Sequence, residues 1–315
     1  SENFESRRAI SVGTRALLVF FFVVAFAECQ LRGQLRTWLG RALAVAGSAA
    51  TGAAIVVFLV DDPPDGRLNG LGQLDTHIIA ALVFGVVLIF VVERLLLEPS
   101  SAWRAFAAVA AACIACAVFL SDSRNAWVSV TLGVGVFVLT HRIADRQRFV
   151  AGAIAMALIV GVILVALVAS DATRDALLPR GDSYRPAIWA GAYSATVEDD
   201  ALFGRGILTD NDVAVAGAPR AFKHPHNLYL SVFYQGGIVG LLLMTVVIVW
   251  VLRVLLHRYD HPDAKLALGV LGLALPAYVL DGHELIDKVG STWFMFWLPV
   301  GISLGLLWGR PRQDL

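Results

Sequence analysis

Residues 224–240, "HPHNLYLSVFYQGGIVG", set two imidazoles and an amide at the mouth of a long apolar run. A neutral imidazole is the ordinary general base near pH 7 and can take a proton from a hydroxyl. Pro225 has no N–H to waste in a first helical turn, which predicts a helix opening there with His226 near its N-terminus. The positive end of a helix macrodipole disfavours imidazolium, so this position keeps a base usable. On a 3.6-residue repeat, His226, Tyr229, Leu230, Phe233, Gly237 and Gly240 share one broad face. Gly236 and Gly240 form a small-xxx-small pair, which predicts a closely packed neighbouring helix. Asn227 offers an amide to orient a ligand. An interfacial histidine with no chemistry is the plain alternative, and His224, ahead of the helix, has the weaker case.

Guanidinium groups form a second constellation. "SDSRNAW" places Ser123 and Arg124 at the start of an apolar run, and Arg185 and Arg205 lie in the long stretch before the histidines. A guanidinium fork suits phosphate oxygens in bidentate fashion, although a lone arginine at a helix end also snorkels. "DGHELIDK" (281–288) adds Asp281, His283, Glu284, Asp287 and Lys288. No spacing there matches a metal-binding motif, so it reads as a solvated polar turn in which Asp281 or Glu284 could orient a basic partner.

Helices in a bilayer must position these groups. Of 315 residues 58% are hydrophobic and 16% are charged, against about 25% charged in soluble domains. Net charge is zero, so nothing points to nucleic acid. Cys113 and Cys116 form a CxxC inside "FAAVAAACIACAVFL", which reads as apolar packing rather than a redox or zinc site. Crossing a hydrocarbon core takes about 20 apolar residues. Nine candidate spans fit: 14–29, 42–60, 77–97, 103–120, 125–140, 149–169, 227–252, 265–281 and 290–309. Arginines and lysines between spans one and two, five and six, seven and eight, and after nine assign those segments to the cytoplasm. The histidines, "SDSR", the stretch 170–225 and "DGHELIDK" then face the other side. The expected organisation is one helical transmembrane domain over 1–315. Inserted in it is the 170–225 loop, which carries an amphipathic helix with Trp189 and Tyr193 suited to the interface. Nine spans put Ser1 outside, where Arg7 and Arg8 sit badly; upstream spans missing from the sequence would explain this.

At these residues the sequence resembles the O-antigen ligase family, within the group that includes O-antigen polymerases and protein O-oligosaccharyltransferases. The signature His-Asn, nine residues, Gly, two residues, Gly is met by His226, Asn227, Gly237 and Gly240. "SDSR" with Ser123 and Arg124 is a second likeness. "YRPAIWAGAYSATVEDDALFGRGI", with Arg185, Trp189, Gly204 and Gly206, is a third. The resemblance implies an all-α polytopic glycosyltransferase of the GT-C type, of about twelve helices in the family, in the bacterial inner membrane with a periplasmic site. Its donor would be O-antigen on undecaprenyl pyrophosphate and its acceptor a sugar hydroxyl of lipid A–core, with membrane lipids around it and no nucleotide sugar, metal or other cofactor. His226 would act as catalytic base. Arg124, Arg185 and more weakly Arg205 would bind pyrophosphate, and Ser123, Trp189, Asn227, Tyr229, Gly237 and Gly240 would support them. A polymerase or protein O-oligosaccharyltransferase would use the same donor. A transporter, from a different class, would bury its ionisable groups at mid-membrane.

Overall fold

A computed structural model describes residues 2–155, 184–209, 212–213, 215 and 221–309. It contains helices α1 (Glu2–Leu31), α2 (Gly40–Asp61), α3 (His77–Leu97), α4 (Ser101–Leu120), α5 (Arg124–Arg142), α6 (Arg185–Asp200), α7 (Leu228–His257), α8 (Pro262–Leu280) and α9 (Leu298–Trp308). Short π-helical turns over Leu35–Leu39 and Trp293–Trp297 lead into α2 and α9. Among the described residues no strand forms, and the one extended pairing is an isolated antiparallel bridge between Val213 and Phe222.

Six of these helices are long and apolar enough to cross a membrane: Arg7–Leu31, Leu35–Asp61, α3, α4, α7 and α8. α3 and α8 are mostly buried, whereas α1, α2, α4 and α7 leave most of their apolar surface uncovered. Leu17, Phe20, Phe21, Val60, Phe119, Leu243 and Val246 are among the exposed side chains. Apolar surface on that scale is a liability in water and the normal wall of a protein in lipid. The chain is therefore a polytopic helical membrane protein. The expected spans 77–97, 103–120, 125–140 and 265–281 fall on α3, α4, α5 and α8. The expected span 290–309 falls on Trp293–Trp308, the π turn and α9 together, which is apolar but shorter than the six membrane-crossing helices. The expected span 149–169 falls largely outside the described residues.

By packing, the described chain divides into two compact units. One comprises residues 1–138, 245–280 and 284–315; the other comprises 139–244 with Asp281–His283. In the first unit α1 packs along α9, and α3 packs on α4, α2 and α8. Small residues set the spacing: a Cβ on Gly133 would lie 2.5 Å from Leu273 Cβ, and one on Gly47 would lie 2.5 Å from Val87 Cγ1. Several charges that enter this unit are paired. Glu93 and Arg94 meet at 2.7 Å, Arg41 and Glu98 at 2.7 Å, and Arg94 donates to the Arg36 carbonyl at 2.8 Å. Burying a carboxylate among helices is tolerated when guanidinium groups compensate it in this way.

Candidate functional site

The second unit is built on the amphipathic α6. Ile188, Ala192 and Thr196 recur every fourth residue and form its buried face. Ile188 and Ala192 share a small core with Val213 and Tyr234 of α7, and Trp189, Phe222 and Leu230 pack around it. The Trp189 indole N–H donates to the Pro225 carbonyl at 3.0 Å. That bond ties α6 to the residue just ahead of the histidine.

Below this core α7 is broken. Gly237 has φ +58° and ψ −155° inside an otherwise continuous helix, a conformation open in practice only to glycine. The segment 201–206 supplies the partners that the break removes. Arg205 and Gly206 donate from their backbone to the Tyr234 and Gln235 carbonyls, each at 2.9 Å. Ile238 and Val239 donate to the Ala201 and Leu202 carbonyls at 2.9 and 3.1 Å. Backbone meets backbone so closely that a Cβ on Gly204 would lie 2.5 Å from the Gly237 nitrogen. A Cβ on Gly237 would in turn strike the Leu202 carbonyl. Gly204 and Gly237 thus accommodate this loop. Among the described residues a Cβ on Gly236 would meet nothing within 4 Å, and one on Gly240 would meet only Val232 of the same helix. No described residue beyond α7 comes within 4 Å of a Cβ on either glycine of the expected Gly236–Gly240 pair, and the expected continuous face from His226 to Gly240 is interrupted at Gly237.

The helix begins at Leu228, three residues later than Pro225 predicts, because Asn227 caps it: its side-chain carbonyl accepts from the Leu230 N–H at 3.0 Å. His226 is therefore outside the helix, with φ +52°. Left-handed backbone at a non-glycine residue costs about 1–2 kcal/mol and concentrates at functional positions. Asp122 and Tyr184 share the feature, and they immediately precede "SR" (123–124) and Arg185. Three of the four such residues described thus lie in or beside the three motifs.

His226 is partnered by Asp281, with 3.4 Å between Nδ1 and Oδ1. A carboxylate on Nδ1 selects the tautomer with its proton there and leaves Nε2 as the lone-pair nitrogen. Asp281 is held by the Gly282 N–H at 2.9 Å. Gly282, at φ +121°, lets the turn approach Leu228, whose Cβ would be 2.8 Å from any added Cβ. Burial would raise the Asp281 carboxyl, but the hydrogen bonds from His226 and Gly282 and the neighbouring imidazoles outweigh it and hold its pKa low. The His224 ring lies 4.0 Å from that of His226 and 5.1 Å from that of His283, and its Nδ1 accepts from the His226 N–H at 3.3 Å. Burial foremost, then the charges of His226 and His283, push His224 down to about 4. It is neutral at pH 7, as an acceptor must be.

The "DGHELIDK" turn is thus not merely solvated polar surface. Asp281 and His283 join the His226 cluster, while in the first unit Glu284 and Asp287 accept from Arg15 at 3.1 and 3.3 Å. Among the described residues no group of histidine, cysteine and acidic side chains could hold a metal ion. Arg185 opens α6, half-buried, and Tyr229 lies in the first turn of α7. Arg205 is already engaged, through Nε to Asp199 at 2.6 Å and Nη1 to the Tyr234 hydroxyl at 2.6 Å, which leaves one Nη for a ligand. Ser123 and exposed Arg124 lie in the first unit, where Ser123 Oγ caps α5 by accepting from Ala126 N–H at 3.3 Å.

The fold defines a multi-pass helical membrane protein, and the site an imidazole–carboxylate pair. Residues 108–245, which hold all three motifs, match the profile of the O-antigen ligase family. Over 308 residues, 94% of this chain and 70% of the relative, the sequence is 28% identical to an O-antigen ligase of Pseudomonas aeruginosa. Both comparisons point to the family that the motifs resemble.

Proposed function

We propose that this protein is an O-antigen ligase. It transfers polysaccharide from undecaprenyl pyrophosphate to a sugar hydroxyl of lipid A–core, at the periplasmic face of a bacterial inner membrane. The pairing of His226, which lies within the matched segment 108–245, with Asp281 carries this reading. His226 Nε2 takes the proton of the acceptor hydroxyl while that oxygen attacks the anomeric carbon of the donor. The bond from that carbon to the pyrophosphate oxygen breaks as the new glycosidic bond forms. A single displacement inverts the configuration and needs no carboxylate nucleophile. Asp281 fixes the ring and stabilises the imidazolium.

Pyrophosphate is a good leaving group, so the protein's main tasks are to neutralise its developing charge and to align the reactants. Arg185 and the remaining Nη of Arg205 serve the first task, and the resemblance assigns the same task to Arg124. Neither task calls for a metal. A deletion in a smooth strain tests the assignment, with separate gels of lipopolysaccharide and of lipid-linked glycan. Bare core with long glycan accumulating on undecaprenyl pyrophosphate is expected. Core carrying a single repeat would instead make the protein a polymerase.

A further inference from the structure

Beside the His226 cluster the second unit contains a recess of about 440 Å³ whose walls include Trp189 and Tyr193 of α6 and Asn227, Tyr229, Phe233 and Leu241. Four of its seven lining residues are aromatic, and three of these are held in place. Trp189 is anchored by its bond to the Pro225 carbonyl. Tyr193 stacks on Phe233 with ring centroids 5.9 Å apart and planes 22° from parallel. The recess is also joined to the base on both sides, since Pro225 precedes His226 and Asn227 follows it. Asn227 spends its side-chain carbonyl on the Leu230 N–H, so the group it turns to a ligand is its NH₂. Tyr193 and Tyr229 add phenolic hydroxyls.

We infer that this recess is a sugar-binding subsite in which a pyranose ring lies against the Trp189, Tyr193 and Phe233 rings while Asn227 donates to one of its hydroxyls. The inference rests on the ligase reading and deepens it. A pyranose has one face of C–H bonds, which suits the electron-rich faces of aromatic rings, and a rim of hydroxyls, which suits an amide and phenols. A polyprenyl chain has the apolar surface but nothing for Asn227 or the tyrosines to bond. An aromatic belt accounts for rings at a membrane boundary, but not for their convergence on a recess attached to the base. Two sugars meet at the reacting centre, the acceptor sugar of the core and the first sugar of the donor, and both have this chemistry.

Saturation-transfer NMR on the protein in nanodiscs separates them. The His226→Ala variant is used so that nothing turns over. One arm adds core oligosaccharide freed of lipid A, a second adds delipidated repeat-unit oligosaccharide, and a third adds a short prenyl alcohol. Saturation reaching sugar C–H protons from the aromatic envelope is expected, with at least tenfold weaker binding in Tyr193→Ala and Phe233→Leu proteins of unchanged melting temperature. Signal from the core oligosaccharide assigns the recess to the acceptor, and signal from the repeat unit assigns it to the donor. Silence from both sugars overturns the inference. So does sugar binding indifferent to both substitutions, or a response of the variants to the prenyl alcohol alone. Binding is read without transfer, so sugar binding alongside normal transfer by His226→Ala would remove the base role and leave the subsite standing.

Discussion

Replacing Gly237 by alanine tests the broken helix directly. Alanine at φ +58°, ψ −155° carries backbone strain of about 1–3 kcal/mol. Its Cβ would also occupy the space of the Leu202 carbonyl and lie 2.6 Å from the Gly204 nitrogen. Relieving that clash displaces the 201–206 segment and weakens the four backbone hydrogen bonds that join it to α7, each with a net contribution of about 1 kcal/mol. Even if half of these are retained, docking of the segment should weaken by roughly 3 kcal/mol, which is on the order of a hundredfold in its opening equilibrium. Hydrogen exchange at the Arg205, Gly206, Ile238 and Val239 amides reads that equilibrium, and exchange should accelerate by about that factor. Gly236→Ala is the matched control, since its Cβ meets none of the described residues within 4 Å and alanine is the better helix former by up to about 1 kcal/mol. Equal exchange in the two variants, or unchanged exchange in Gly237→Ala, would refute the account of α7.

His226→Ala should lower transfer by at least about 10²–10⁴-fold while the protein still inserts, measured with lipid-linked donor and purified core; normal transfer would remove the base assignment. Asp281→Asn keeps the shape but not the charge, and should lower the rate and shift the pH–rate profile; a profile identical to wild type would reduce Asp281 to packing. Lysine at Arg124 or Arg185 should impair donor use nearly as much as alanine, because a point charge cannot reproduce the fork, and two wild-type lysine variants would refute bidentate recognition. The folded protein resists protonating His224 down to about 4, below the ordinary 6.5. An unfolded imidazole takes the proton sooner, so this contribution is complete above pH 6.5 and falls away as the pH drops towards 4, by at most about 3 kcal/mol. Melting curves of His224→Asn should lose that acid slope, and an unaltered slope would place its origin elsewhere.

Continuous hydrophobicity and alternating positive charge made the membrane helices legible, α3 down to its first and last residues. Arg124, expected at the start of an apolar run, is the first residue of α5, and the expected amphipathic helix of the long loop is α6, which Arg185 opens. Around His226 the sequence misled. Pro225 has the credentials of a first-turn residue, but Asn227 is the better cap and holds the helix start at Leu228. Gly236 and Gly240 fit a helix-packing pattern, yet the residue under constraint is Gly237, whose conformation depends on Gly204 more than thirty positions earlier. The pairing of His226 with Asp281 spans 55 residues. "DGH" hinted at a basic partner but could not say which, because no local periodicity reaches that far.

The break in α7 also bears on how the protein is made. Leu228–His257 is apolar enough to enter a bilayer as one uninterrupted helix, and on entry it needs no outside hydrogen-bond partner. The 201–206 segment has already been synthesised by then, but its four bonds require Gly237 to leave the helical conformation. If the helix enters the bilayer unbroken, membrane insertion and docking of the 201–206 segment are separate events, and the second exchanges backbone partners at an interior glycine. A variant arrested between them would be correctly threaded and fully abundant in the membrane, yet inactive. Abundance and topology are thus the wrong measures of whether this protein has matured.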